Sequence, residues 1–205
     1  MSAAWGLNKH AFPISMAWAI ILNMEVKRLA IVIGLTTMIA ATDSVGGELT
    51  NMRITSPAFA ESEAIPEKYT CEGRDISPPL VFTDTPETTE SLVLIVDDPD
   101  APDPSAPKMT WVHWLLFNLP AQLKGLDEDI RKLPEGTGTG RNDWKRSDYG
   151  GPCPPIGRHR YFFKLYALDT RLDGLKTPDK QALLQAMQGH VLERAELVGT
   201  YLKQR

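Results

Sequence analysis

Residues 150–169 read GGPCPPIGRHRYFFKLYALD, and the reading of this stretch decides the fold. Its first half holds the glycines Gly150, Gly151 and Gly157 and the prolines Pro152, Pro154 and Pro155. Glycine frees the backbone, while proline fixes φ and removes an amide donor, so neither regular helix nor central strand forms there. Residues 160–168 are aromatic and aliphatic and carry strand chemistry. A stiff, irregular loop therefore delivers His159 to the mouth of a strand. Such a loop is well suited to wall a small pocket.

Upstream, residues 91–97 (SLVLIVD) are a continuous apolar run of strand length, which predicts a central strand buried on both faces. The run exits into Asp97-Asp98-Pro99-Asp100-Ala101-Pro102, where prolines end the ladder and carboxylates gather. Residues 110–119 (TWVHWLLFNL) give the next strand. Alternation would set Trp111, His113, Leu115 and Phe117 on one face, with Val112, Trp114, Leu116 and Asn118 on the other. Further strands are expected at 51–59, with Ile54 and Phe59 inward, and at 80–83. Residues 66–79 and 103–108 read as loop. So does most of 120–148, which contains Gly136, Gly138, Gly140 and Asn142-Asp143-Trp144. Downstream, Thr177-Pro178 opens a helix with Thr177 as N-cap. Leu184, Met187, Val191, Ala195 and Val198 recur at helical spacing and predict one face packed on the sheet. Residues 200–205 read as a short tail or a last strand. Several strands with one helix predict an all-β or β-rich sandwich.

The chain has 205 residues and a formal charge of −4, with no repeat and no basic cluster after the N-terminal extension. That composition predicts one domain and argues against nucleic acid as a partner. The extension, residues 1–43, has the order of a secretory signal. Lys27 and Arg28 precede an apolar run at 29–41, and the small residues Ala40, Ala41 and Ser44 follow. The run is shorter than the roughly 20 residues that span a bilayer. An uncleaved anchor is the competing reading. The signal would start at Met24, leaving residues 1–23 upstream of it. Cutting near Ala41 removes Lys9, Lys27, Arg28 and Glu25, which takes the charge from −4 to −6. The expectation is an exported protein, periplasmic or secreted, whose residues 44–205 form a single domain. Its two cysteines, Cys71 and Cys153, favour one disulfide in that setting. Two small buried thiols that never pair are the alternative.

Three separated stretches bring polar groups to strand ends: Asp98 and Asp100, then His113, then His159 with Tyr161. A carboxylate beside an imidazole raises its pKa and fixes its tautomer. Imidazoles and the Gly150-Gly151 amides then offer donors to an anion such as phosphate or carboxylate. Taken singly, each residue has a plainer explanation. His113 reads as a satisfied core histidine, and Asp97, Asp98 and Asp100 as turn caps. Trp111 and Trp114 read as core or pocket wall, His190 as half-buried packing, and Trp144 as a lid. His10 lies in the removable extension.

Together, Asp98-Pro99-Asp100-Ala101-Pro102, Trp111-Val112-His113, Gly151-Pro152 and His159-Arg160-Tyr161 resemble the phosphatidylethanolamine-binding protein family, in its bacterial Raf-kinase-inhibitor-like branch. Residues 70–80 (TCEGRDISPPL), Asn142-Asp143-Trp144 and the opening stretch are similar in the same order. The resemblance runs from about Ile54 to the C-terminus. It implies a β-sandwich of that family's kind, with the helix of the C-terminal region packed on the sheet and a small anion pocket at one end. The pocket carboxylate would fall on Asp98, the two histidines on His113 and His159, and the aromatic donor on Tyr161. Trp111, Gly151 and Pro152 would line the wall, and Asp100 would support the loop. Phe82 stands where this branch would carry Trp, and Tyr201 does not equate with the C-terminal tyrosine of mammalian members.

The resemblance implies a non-enzymatic protein for a small anion or phosphorylated headgroup, with no cofactor, no catalytic residue and no metal. A hydrolase of small esters or amides is the alternative. No Gly-x-Ser-x-Gly motif occurs, and Cys153 is hemmed by prolines. A zinc site from His113, His159 and Asp98 ranks last, since no local histidine spacing supports it. A protein–protein regulator with a vestigial pocket is a further reading. A homodimer stays open, and no protein partner is specified.

Overall fold

The structure, a computed structural model, describes residues 51–204. The signal-like extension, the start at Met24 and His10 lie outside the described residues.

Eight strands and one helix follow in chain order: β1 (Arg53–Thr55), β2 (Leu80–Thr83), β3 (Ser91–Asp98), β4 (Trp111–Pro120), β5 (Gly125–Leu126), β6 (Gly138–Thr139), β7 (Arg158–Leu168), α1 (Lys180–Ala186) and β8 (Val191–Leu202). One antiparallel sheet runs β1-β2-β5, and the other runs β6-β4-β3-β7-β8. The main core fills the space between them, with Leu92, Leu94, Val96, Phe163 and Leu165 of the large sheet against Ile54, Leu80 and Phe82 of the small one. A second cluster lies on the outer face, where Leu183 and Met187 from α1 and its C-cap meet Val93, Ile95, Leu115 and Phe117. β3 alternates between the two clusters and is buried at every position, as a central strand with both faces covered must be. Phe82 is buried in the main core.

Three expectations fail for local reasons. The helical stripe ends after Met187, because Gly189 takes φ 84° and turns the chain back into β8. Along β8 the buried positions are Ala195, Leu197, Gly199 and Tyr201, a period of two. Leu184 is exposed and Leu183 is the buried residue of α1. The N-cap is Asp179, whose carboxylate accepts from the Ala182 amide at 2.9 Å, in place of Thr177. The first strand is also shorter than 51–59, although Ile54 and Phe59 are both buried.

The faces of β4 do not follow strict alternation either. Val96 pairs with Trp114 and Asp97 with Val112, which leaves His113 as the extra residue of a β-bulge. Trp114 and Leu116 therefore join the inter-sheet core, while Val112, Leu115 and Phe117 face α1. A second register shift lies near Asn118, whose side-chain amide exchanges two hydrogen bonds with the Leu172 backbone. The bulge at His113 turns its ring away from the row that simple alternation assigns it.

Candidate functional site

The end of β3 sends consecutive carboxylates to opposite faces. Asp97 is fully buried toward α1, where Lys164 Nζ donates at 2.7 and 2.9 Å and Lys180 Nζ at 2.6 Å. It is a structural tie between β3, β7 and the helix. Asp98 faces the other way. Its Oδ1 accepts the Asp100 amide at 2.8 Å, and its Oδ2 lies 2.7 Å from His159 Nδ1. Nε2–H of His159 donates to the Ile156 carbonyl at 3.0 Å. A carbonyl only accepts, so Nε2 carries a proton. A further proton must then lie between Asp98 and His159, and the pair as a whole is neutral.

Asp100 fixes the loop after β3 onto β7. It accepts from the Arg160 amide and Nε at 2.9 Å each and from Nη2 at 2.7 Å. The Arg160 side chain holds this carboxyl below the usual carboxylate range against the opposing effect of burial. The loop then turns through a cis Ala101–Pro102 peptide.

His113 is 3% exposed. Its Nδ1–H donates to the Gly150 carbonyl at 2.6 Å, and the Gly150 amide returns a bond to the His113 carbonyl at 3.2 Å. Burial pushes the His113 pKa down, although the Gly150 bond and the charge of Asp98 oppose it. The expected rise beside a carboxylate is thus reversed by desolvation. The ring meets Trp144 edge-on at 5.0 Å and Tyr161 at 5.1 Å. Tyr161 also stacks near His159 at 6.4 Å. Its hydroxyl is buried beside the Cys153 backbone. Burial raises its pKa, so the phenol keeps its proton.

Asn142-Asp143-Trp144 supports the bulge from the open edge of β4. Asp143 exchanges amide and carboxylate bonds with Val112 at 3.1 and 2.7 Å. Buried Asn142 donates to the His113 and Asp148 carbonyls at 3.2 and 2.9 Å. Trp144 then stands 5.4 Å from Trp111 as a wall.

These groups border a cavity of about 420 Å³. Asp98, Trp111 and His113 supply its polar floor, Ala101 and Pro102 one side, Lys108 and Met109 the mouth, and Trp144, Cys153 and Pro155 the remaining wall. Wider grooves of about 560 to 640 Å³ elsewhere are more open and contain no histidine. Of the residues expected at the site, Asp98, Trp111 and His113 line the cavity. His159 and Tyr161 form the layer behind it, and Asp100 supports the loop. The ring nitrogens of His159 are both occupied, so the zinc geometry read from sequence has lost one ligand.

Gly151 and Pro152 serve the wall from outside. The Gly151 amide donates to Asp75 at 2.6 Å, and the Pro152 carbonyl accepts from Cys71 at 3.1 Å. A Cβ on Gly151 would come within 2.3 Å of the Tyr69 carbonyl. The Gly150 and Gly151 amides are therefore both committed within the protein, contrary to their expected role toward an anion. Cys71 and Cys153 form a disulfide with Cα atoms 5.4 Å apart, clamping this wall. His190 is exposed and pairs with Asp169 at 2.9 Å, away from any half-buried packing role. Lys108, Met109 and Pro155 escaped the sequence reading, because nothing in a Pro-rich loop marks which residues turn inward.

The fold is a two-sheet β-sandwich with a small pocket bordered by aromatic and histidine side chains. Residues 55–202 match the phosphatidylethanolamine-binding protein family, and the chain belongs to it. A UPF0098 protein of Methanothermobacter thermautotrophicus is 48% identical over 153 residues, covering 73% of this chain and 98% of its own. The crystal structure of a phosphatidylethanolamine-binding protein homologue from Chlamydia trachomatis superposes with a TM-score of 0.70 at 42% identity, covering 76% and 99% of the two chains. E. coli YbcL, described as a member of the mammalian family, gives 0.67 at 31% identity, covering 75% and 99%.

Proposed function

We propose that this protein is a non-enzymatic binder of a small oxyanion, free or as a phosphorylated headgroup, in the pocket floored by Asp98, Trp111 and His113. One observation carries the reading. Trp111, which lines the cavity, has a buried Nε1–H donor without a hydrogen-bond partner. Such a donor costs on the order of 1–3 kcal/mol, which an accepting ligand offsets. The neutrality of the Asp98–His159 pair removes the obvious repulsion against an anion, and Lys108 adds a positive charge at the mouth. No serine or threonine lines the cavity and its cysteine is in a disulfide, so the hydroxyl or thiol nucleophile usual in ester and amide hydrolysis is missing from the lining. Export, signal cleavage and a periplasmic or secreted location belong to the same proposal, and the disulfide supports them.

The test is a phosphate titration followed by NMR of the imidazole and indole N–H signals. His113 and Trp111 should shift together and saturably. Stationary signals from both would remove the proposal.

A further inference from the structure

We propose that the pocket selects anions that bring a hydrogen-bond donor of their own, such as hydrogen phosphate, over fully ionised ones such as sulfate. This rests on the anion-binding reading and specifies its ligand. His113 Nδ1–H is committed to the Gly150 carbonyl in a buried bond of 2.6 Å. A neutral imidazole so fixed offers only a lone pair at Nε2, and no described residue engages that atom. An oxygen bearing no proton meets this lone pair as like against like. An oxygen bearing a proton donates to it, while another oxygen of the same ligand accepts from the Trp111 indole N–H.

The alternative is that His113 takes up a proton and becomes the donor. The surroundings oppose that. The ring is 3% exposed, with Trp144 edge-on to it at 5.0 Å and Tyr161 at 5.1 Å. Burial is the dominant influence on its titration and acts against the charged form. The charged groups around it are Asp97 and Asp98 from β3 and Asp75 from the loop before β2, which favour the cation more weakly. His159 lies behind Asp98 on β7, Lys108 borders the cavity, and the Arg146 guanidinium lies over the Trp144 ring, 5.5 Å from its centroid. The disposition of donors and acceptors thus matches a ligand of mixed character.

Calorimetric titration of the full chain with phosphate and with sulfate, at equal ionic strength and about pH 7.5, tests this. Phosphate should bind at least about tenfold more tightly, because a site that presents a fixed acceptor to its ligand discriminates against an analogue lacking the donor. Methyl phosphate, which loses its last proton near pH 6 like other monoesters, should weaken as pH rises through that value. Glycerophosphoethanolamine, with ammonium N–H groups, should bind more tightly than glycerophosphocholine, which has none. Whether it binds more or less tightly than phosphate then distinguishes a headgroup from a free anion as the source. His113→Gln offers both an amide donor and an acceptor, and should bring phosphate and sulfate to within about threefold. Equal affinities in the unaltered protein would overturn the selectivity while leaving anion binding in place. A full phosphate preference retained in folded His113→Gln would do the same, and if that variant does not fold, the unaltered protein's anion and pH series decides. No binding of any anion would overturn both readings.

Discussion

Replacing Asp98 by Asn probes the buried pair on which the pocket floor rests. The Asp98 side chain is 5% exposed and that of His159 is 0%, so solvent does not screen their contact. In Asp98→Asn, Oδ1 still accepts the Asp100 amide. The new amide N–H donates to His159 Nδ1, whose Nε2 already holds the proton shared with Ile156. A neutral bond worth about 1 kcal/mol therefore replaces a charge-assisted one of about 1.5–3 kcal/mol. The expected loss is about 0.5–2 kcal/mol, against about 4 kcal/mol for Asp98→Ala, which leaves His159 without its buried partner. For a domain of this size, 2 kcal/mol lowers Tm by about 4–8 °C. Urea unfolding of Asp98→Asn, His159→Gln and the double variant isolates the coupling, expected at about 2 kcal/mol. Additivity within about 0.5 kcal/mol would refute the pair as a stabilising unit.

Three further outcomes follow from the same geometry. The folded state holds His113 neutral below its ordinary titration range, so the unfolded chain takes up the proton first as pH falls. Stability present above about pH 6.5 should be lost as pH drops toward the lower folded value, and His113→Gln should abolish that part of the loss in pH-dependent urea melts. The Cys71–Cys153 bridge closes a separation of 82 residues, so Cys71→Ser with Cys153→Ser should cost up to about 4 kcal/mol in denaturant unfolding, with a larger effect on amide exchange in residues 149–156 than elsewhere. Asp97→Ala leaves Lys164 and Lys180 facing each other without their shared carboxylate and should destabilise by about 3–5 kcal/mol in the same assay.

Much of this architecture was legible in local chemistry. The apolar run at 91–97 is a strand covered on both sides, and nothing but a central position explains it. The prolines after Asp98 end that strand where the carboxylates are needed. The errors mark where local pattern gives way to tertiary geometry. Val191, Ala195 and Val198 fit a helical stripe as well as Ala195, Leu197 and Tyr201 fit a strand, and only the left-handed turn at Gly189 chooses between them. Bulges leave little trace in sequence, so the rotation of His113 out of its alternating row was invisible. Proximity of Asp98 to His159 depends on β3 pairing with β7 across 61 residues, and pairing of this kind carries no local signal. The resemblance to a family placed those residues together before geometry did. It did not indicate that the Gly150 and Gly151 amides would be spent on His113 and Asp75.

The most direct measurement is anomalous diffraction at the arsenic edge from crystals soaked in arsenate, a phosphate surrogate. The account predicts a peak in the cavity within hydrogen-bond reach of His113 Nε2 and Trp111 Nε1, with His159 still bonded to Asp98 and Ile156. An empty cavity at saturating arsenate, or a peak only at surface lysines, would contradict it.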